Sequence, residues 1–221
     1  MSVWILVLAS VALQAQEVHD HPAPERLGRV SFPISCAAQT QAEFNRGVAL
    51  LHSFAYSAAG ETFRKVAASD QHCAMADWGV AMSCFHQLWE PHLEPDCLPA
   101  ATVAIQTAQK LGSSSSRERG YIQALSLIFR DATSVPFSTR DLRYEQAMAD
   151  LARNNRNDIE AQVFYALALL SNASLADKTY ARQRQALAIL EPLDLTYPDH
   201  PGITHYIIHA CDSSELAPRG L

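Results

Sequence analysis

Three histidines near the C-terminal end stand at spacings that metal chemistry uses. His205 and His209 are four residues apart, and His200 precedes them across Pro201-Gly202. That spacing puts the two imidazoles of residues 205 and 209 on one face of a helix. Two imidazoles so placed can ligate one ion, with a third ligand closing the set. No His-Glu-x-x-His signature occurs, so the glutamate that a zinc protease uses as its base has no counterpart. Histidines hydrogen-bonded inside a helix hairpin, or facing a further helix, are the expected role, and a metal-dependent enzyme or metal-binding protein using His200, His205 and His209 is the alternative. His19 and His21 repeat the signal more weakly in the N-terminal region.

Other chemistry leaves less trace. No Gly-x-Ser-x-Gly elbow, phosphate-cradling glycine loop or dinucleotide fingerprint is present. Trp78, His86, Trp89 and His92, beside the prolines at 91, 95 and 99, form the cluster where an enzyme of unfamiliar type would keep its site. The expectation is a protein that is not an enzyme and needs no cofactor. With 17 Lys and Arg against 23 Asp and Glu, the net charge is −6. No basic stripe offers a footprint for nucleic acid, and anionic membrane surfaces are disfavoured for the same reason.

The elements that must position these residues read as helices after an unusual start. Residues 1–15 are apolar, uncharged and end in small residues. They are too few to cross a bilayer, which takes about 20 apolar residues, and suit a secretory signal despite lacking a leading Lys or Arg. Export is the expectation, with no integral membrane segment after signal removal. Residues 16–40 read as an extended polar leader, and 41–221 as a helical domain. Phe44, Val48 and Leu51 stripe a first helix; Ala59, Phe63, Val66 and Ala67 a second; Met75, Trp78, Met82 and Phe85 a third. Further helices are expected over 102–111, closed by Gly112, from near Arg117, and over 140–154, 158–171, 177–196 and 202–211. No strand-like alternation of useful length appears, so the class is all-α, with antiparallel helix hairpins stacked as an α-solenoid.

The five cysteines are Cys36, Cys73, Cys84, Cys97 and Cys211. Cys73 and Cys84 on one helix would lie roughly 16 Å apart, beyond disulfide reach. Pairing of Cys36 with Cys73, or of Cys84 with Cys97, is geometrically possible. As small apolar side chains, most of the five are expected to be simply buried.

Three stretches share a layout of polar turn, small residue and an aromatic four residues on: Ala74 to Trp78, Ala161 to Tyr165, and Gly202 to Tyr206. With Ala59 and Phe63 at the small and large packing positions of a second helix, the chain resembles the tetratricopeptide repeat. More particularly it resembles a group of exported bacterial tetratricopeptide-like proteins. The matching segments are Ala74–Ala81, Arg117–Leu125, Phe164–Leu169, Thr179–Arg182 and His200–His209, and the likeness covers about 41–221. The repeats are unevenly spaced, Gln71 stands where the family has a turn proline, and the Pro-rich stretch 90–99 interrupts the array. The resemblance leads one to expect further helices after Cys211, so the array is expected to end short. It also implies a non-catalytic scaffold with a protein or peptide partner. By register, the groove would be lined by Met75, Trp78, Met82, Phe85 and His86, then Tyr165 and Tyr206. The competing expectation for Met75–Phe85 is burial, because an aromatic stripe at helical spacing is usually core.

Overall fold

A computed structural model describes residues 20–220; the signal-like segment 1–15 and the first residues of the leader lie outside them. Nine α-helices follow one another among the described residues: α1 Gln41–His52, α2 Tyr56–Ser69, α3 Ala74–Met82, α4 Leu98–Leu111, α5 Ser116–Phe129, α6 Phe137–Asn154, α7 Ile159–Ser171, α8 Ala181–Asp194 and α9 Pro201–Ala210. No strand forms among these residues; a single isolated bridge joins Phe85 to Leu93. Each helix packs chiefly on its sequence neighbours. The architecture is all-α and α-solenoid-like.

Local chemistry sets the boundaries. Ser115 caps α5, its hydroxyl accepting the Glu118 N–H at 3.3 Å. Gly112 ends α4 with a positive φ of 65°. Helix α4 starts at Leu98 rather than Thr102, because Pro99 falls in the first turn, where a missing N–H costs nothing. Helix α8 starts at Ala181 rather than Asp177. The Asp177 carboxylate accepts the N–H groups of Thr179 and Ala181 at 2.9 and 3.1 Å, and Tyr180 turns left-handed. Phe85 lies beyond the end of α3.

The array does not stay open. Helix α9 returns against α1, and α7 meets the end of α1 at His52, whose ring lies 4.8 Å from Phe164, so the inward sides of α1, α3, α5, α7 and α9 meet one another. The Trp78 ring stands 5.7 Å from Tyr121 and 5.8 Å from Phe164, both edge-on. Phe63 of α2 wedges between α1 and α3, where Gly47 and Gly79 leave room for its ring.

The leader is extended, as its prolines suggest, but residue 40 is no packing boundary. Val30 and Phe32 are buried in the common core. Phe32 packs on Phe44, Trp78 and Tyr121, and the Arg117 guanidinium covers it at 4.3 Å. Arg117 also donates to the Pro33 carbonyl at 2.9 Å and pairs with Asp158 at 2.6 Å.

Four of the five cysteines are bonded rather than merely buried: Cys36 to Cys73 and Cys84 to Cys97; Cys211 is free and buried. The first ties the leader to the α2–α3 turn, and the second closes the loop between α3 and α4. Their separations are 37 and 13 residues. Chain-entropy scaling then assigns them about 4 and about 3 kcal/mol. Thermal or urea unfolding of Cys36→Ser and Cys84→Ser should show losses in that order; equal midpoints for both variants and the parent would contradict it.

Candidate functional site

The residues expected to line a groove are core instead. Met75, Trp78, Met82, Phe85, His86 and Tyr206 are all buried. The reason is closure: with α9 folded back on α1 and α7 meeting the end of α1, the would-be concave face is filled by its own aromatic side chains. Tyr165 alone of the set is half-buried, its hydroxyl accepting from Gln185 Nε2 at 2.8 Å. The histidine trio also divides. His200 faces the interior, whereas His205 and His209 lie together on a half-buried face of α9. Nor do Trp78, His86, Trp89 and His92 form one constellation. Trp78 is central core, His86 stacks on Tyr56 at 3.9 Å, Trp89 meets His209 edge-on, and His92 stacks on Phe137 at 4.5 Å.

What the interior holds is a carboxylate between two imidazoles. Glu160, in the first turn of α7, accepts from His52 Nε2 on one oxygen at 2.8 Å and from His200 Nε2 on the other at 2.9 Å. All three side chains are buried. His52 ends α1, and His200 precedes α9, so one carboxylate ties three helices. The Tyr206 hydroxyl sits 2.9 Å from His52 Nδ1. Burial drives the Tyr206 pKa well above its ordinary value, so the phenol keeps its proton and donates to Nδ1. His52 is thereby fixed as the tautomer with its proton on Nε2, aimed at Glu160. Gly202 makes the approach possible: a Cβ there would come within 2.6 Å of His52 Nδ1.

The charges follow from this arrangement. Burial lowers the His52 pKa, against the raising pull of Glu160. Burial alone would raise Glu160; the charge and hydrogen bonds of His52 and His200 outweigh it and bring its pKa to about 2. The three donor sets lie within 4.8 Å of one another, as a metal would require. Yet ligation through His200 Nε2 would put its proton on Nδ1, a buried atom with no partner. A lone pair is better tolerated there than an N–H, so the set fits a hydrogen-bonded network better than a metal centre. Cys36, Asp70 and Cys73 also cluster, but both sulfurs are consumed in the disulfide.

Two further groups adjoin the interior. Asp141 of α6 is 2.7 Å from Ser171 Oγ, whose other neighbour is the Gln87 carbonyl at 2.8 Å. Burial raises Asp141 to about 6 despite Ser171, His92 and Arg140, so this carboxyl exchanges a proton near neutrality. On the other side, Phe54 adopts a left-handed φ of 56° in the turn between α1 and α2. Bulky residues avoid that region; its ring is fully buried, 4.3 Å from the His205 ring and 5.9 Å from Tyr206.

His52 and Glu160 had no signature in the sequence. They are 108 residues apart, and the only local hint is a charged residue on a helix otherwise almost wholly apolar. No family model, curated protein or solved structure matches this chain.

The network predicts acid sensitivity. His52 binds its proton less readily folded than unfolded, so stability starts to fall as pH drops below its unfolded value of 6.5. Glu160 adds a second loss as pH falls from 4.5 toward about 2. Glu160→Ala removes one member of a buried pair, and should cost about 3–5 kcal/mol and flatten the lower part of the profile. Urea midpoints across pH check both, and a pH-independent parent would refute the assignment.

Proposed function

We propose that the protein is a non-catalytic, tetratricopeptide-like binding scaffold that acts outside the cytoplasm and engages a basic peptide segment of a partner. One observation carries the reading. A cleft of about 560 Å³ opens between α2, the disulfide-closed loop and α4, lined in part by Asp20, Arg64, Glu90, Glu94 and Asp96. Four carboxylates face one guanidinium there, and the floor includes Tyr56, Val80 and Ala101. Such a surface favours a cationic, amphipathic segment through charge complementarity, which contributes chiefly to selectivity and encounter rate.

The extracytoplasmic part of the reading is supported by the two disulfides, since such bonds persist in oxidising compartments, and by the signal-like character of residues 1–15. No helix among the described residues is long and apolar enough to cross a membrane. The Cys84–Cys97 bond keeps the cleft wall in place, so ordering costs on binding are small.

Calorimetric titration with a short Lys/Arg-rich peptide and with its Glu-rich counterpart tests the reading. The cationic peptide should bind, more weakly at high salt, and the double variant Glu94→Lys, Asp96→Lys should lose at least about tenfold in affinity, about 1.4 kcal/mol. Equal binding of both peptides, or affinity untouched by the charge reversal, would remove the cleft from consideration.

A further inference from the structure

The rings of His205 and His209 stand side by side on α9, their centroids 4.9 Å apart and their Nε2 atoms 3.2 Å apart. Proton positions make this an unusual pair. His205 Nδ1 lies 2.7 Å from the His52 carbonyl oxygen. A carbonyl only accepts, so Nδ1 carries the proton, and the neutral ring directs its lone pair out through Nε2. On the second ring Nδ1 faces the Asp212 carboxylate, 3.6 Å from Oδ2. A carboxylate also favours the proton on Nδ1, which aims a second lone pair at the first. Left empty, the pair must either turn an imidazole lone pair toward a carboxylate or hold an imidazolium in a half-buried position, where burial lowers the pKa.

We propose that His205 and His209 chelate a borderline divalent transition-metal ion, of the zinc class, through their two Nε2 atoms. The geometry is already built. With metal–nitrogen distances of about 2.0–2.1 Å, nitrogens 3.2 Å apart subtend an angle of about 100° at the ion, close to tetrahedral. His205 Nδ1 has the hydrogen-bonded outer partner that ligating histidines use, the His52 carbonyl at 2.7 Å, and an exposed carboxylate stands 3.6 Å from His209 Nδ1. Nitrogen donors select zinc, copper or nickel over magnesium and calcium.

His21 of the leader borders the pair; its ring nitrogens do not fall within 4.8 Å of both Nε2 atoms, so it would serve as third donor only by turning toward them. Its backbone N–H is fixed to the Phe54 carbonyl at 3.0 Å, and its ring lies 6.1 Å from the Phe54 ring. The Phe54 ring is itself 5.5 Å from His209, and the charge of His21 lowers the pKa of His205 and of His209 alike. Trp89 walls the site, 5.7 Å from His209. Water completes the shell. His200, pointing inward to Glu160, takes no part. An ion that drew His21 in would fasten the leader to the last helix of the array.

Zinc itself is the probe. Full-length protein carrying no purification histidines is stripped with chelator and titrated with Zn²⁺, and its melting temperature is followed with and without the ion. One ion per chain should bind at micromolar concentration or below and raise the melting temperature. His209→Gln should keep the chelator-stripped melting temperature near the parent's while affinity drops at least thirtyfold and the zinc-induced rise disappears; His205→Gln should lose the same rise. His21→Ala should weaken binding by about tenfold, and Co²⁺ substitution should give the intense visible bands of a tetrahedral site. A parent that binds no zinc in this range overturns the proposal, and so does stoichiometric binding that survives in the folded His209→Gln protein.

Discussion

One buried negative charge decides the shape of this molecule. The Glu160 carboxylate sits between His52 and His200 with each oxygen matched to one ring N–H, and no water is needed to satisfy it. An isolated carboxylate in such a place would cost many kcal/mol. Two strong donors, one of them held in tautomer by the Tyr206 hydroxyl, make it tolerable. Buried ionic groups are weak sources of net stability, but an arrangement that separated the partners would leave a buried charge unpaired, at a cost of about 3–5 kcal/mol. Here the choice is between an open helical array and one closed on itself, because the three residues belong to α1, α7 and the entry to α9.

Closure redistributes everything else. The aromatic faces of α1, α3, α5, α7 and α9 become a shared core, with Phe44, Trp78, Tyr121, Phe164 and Tyr206 all buried. The leader supplies Phe32 to the same cluster, clamped by Arg117 and by the disulfide at Cys36. What stays at the rim is the acidic cleft beside the Cys84–Cys97 loop and the half-buried His205–His209 face next to Phe54 and Trp89. His52 links that face to the interior, since its side chain holds Glu160 while its carbonyl holds His205. The rim histidines are therefore oriented by the same residue that closes the array.

How much of this could be read from the chain alone follows from the range of each interaction. Helix existence is local: periodic apolar residues, Ser115 as a cap and Gly112 as a stop each act within a few residues, and the helices stand close to where those signals put them. Start points slipped where a side chain rewrote the first turn, as Asp177 does before α8 and Pro99 does within α4. The disulfides sat between: geometry allowed both pairs, yet only the fold could show that the leader passes the α2–α3 turn closely enough for Cys36 to reach Cys73.

The site belongs to the tertiary structure. Spacing alone placed His205 and His209 on one helix face, and that much held because four residues make about one turn. His200 seemed to complete a trio, but the turn at Pro201 sends it to the opposite side, toward a glutamate 40 residues away. The groove expected at Met75, Trp78, Met82, Phe85 and His86 was a matter of which face a stripe presents, and a stripe looks the same whether solvent or another helix covers it. By itself the sequence determined an all-α chain of hairpins with two imidazoles on one helix face near its end. Whether the array stays open was decided by residues 52, 160 and 200, whose encounter no local pattern records, because desolvation and pairing energies act only once distant helices meet.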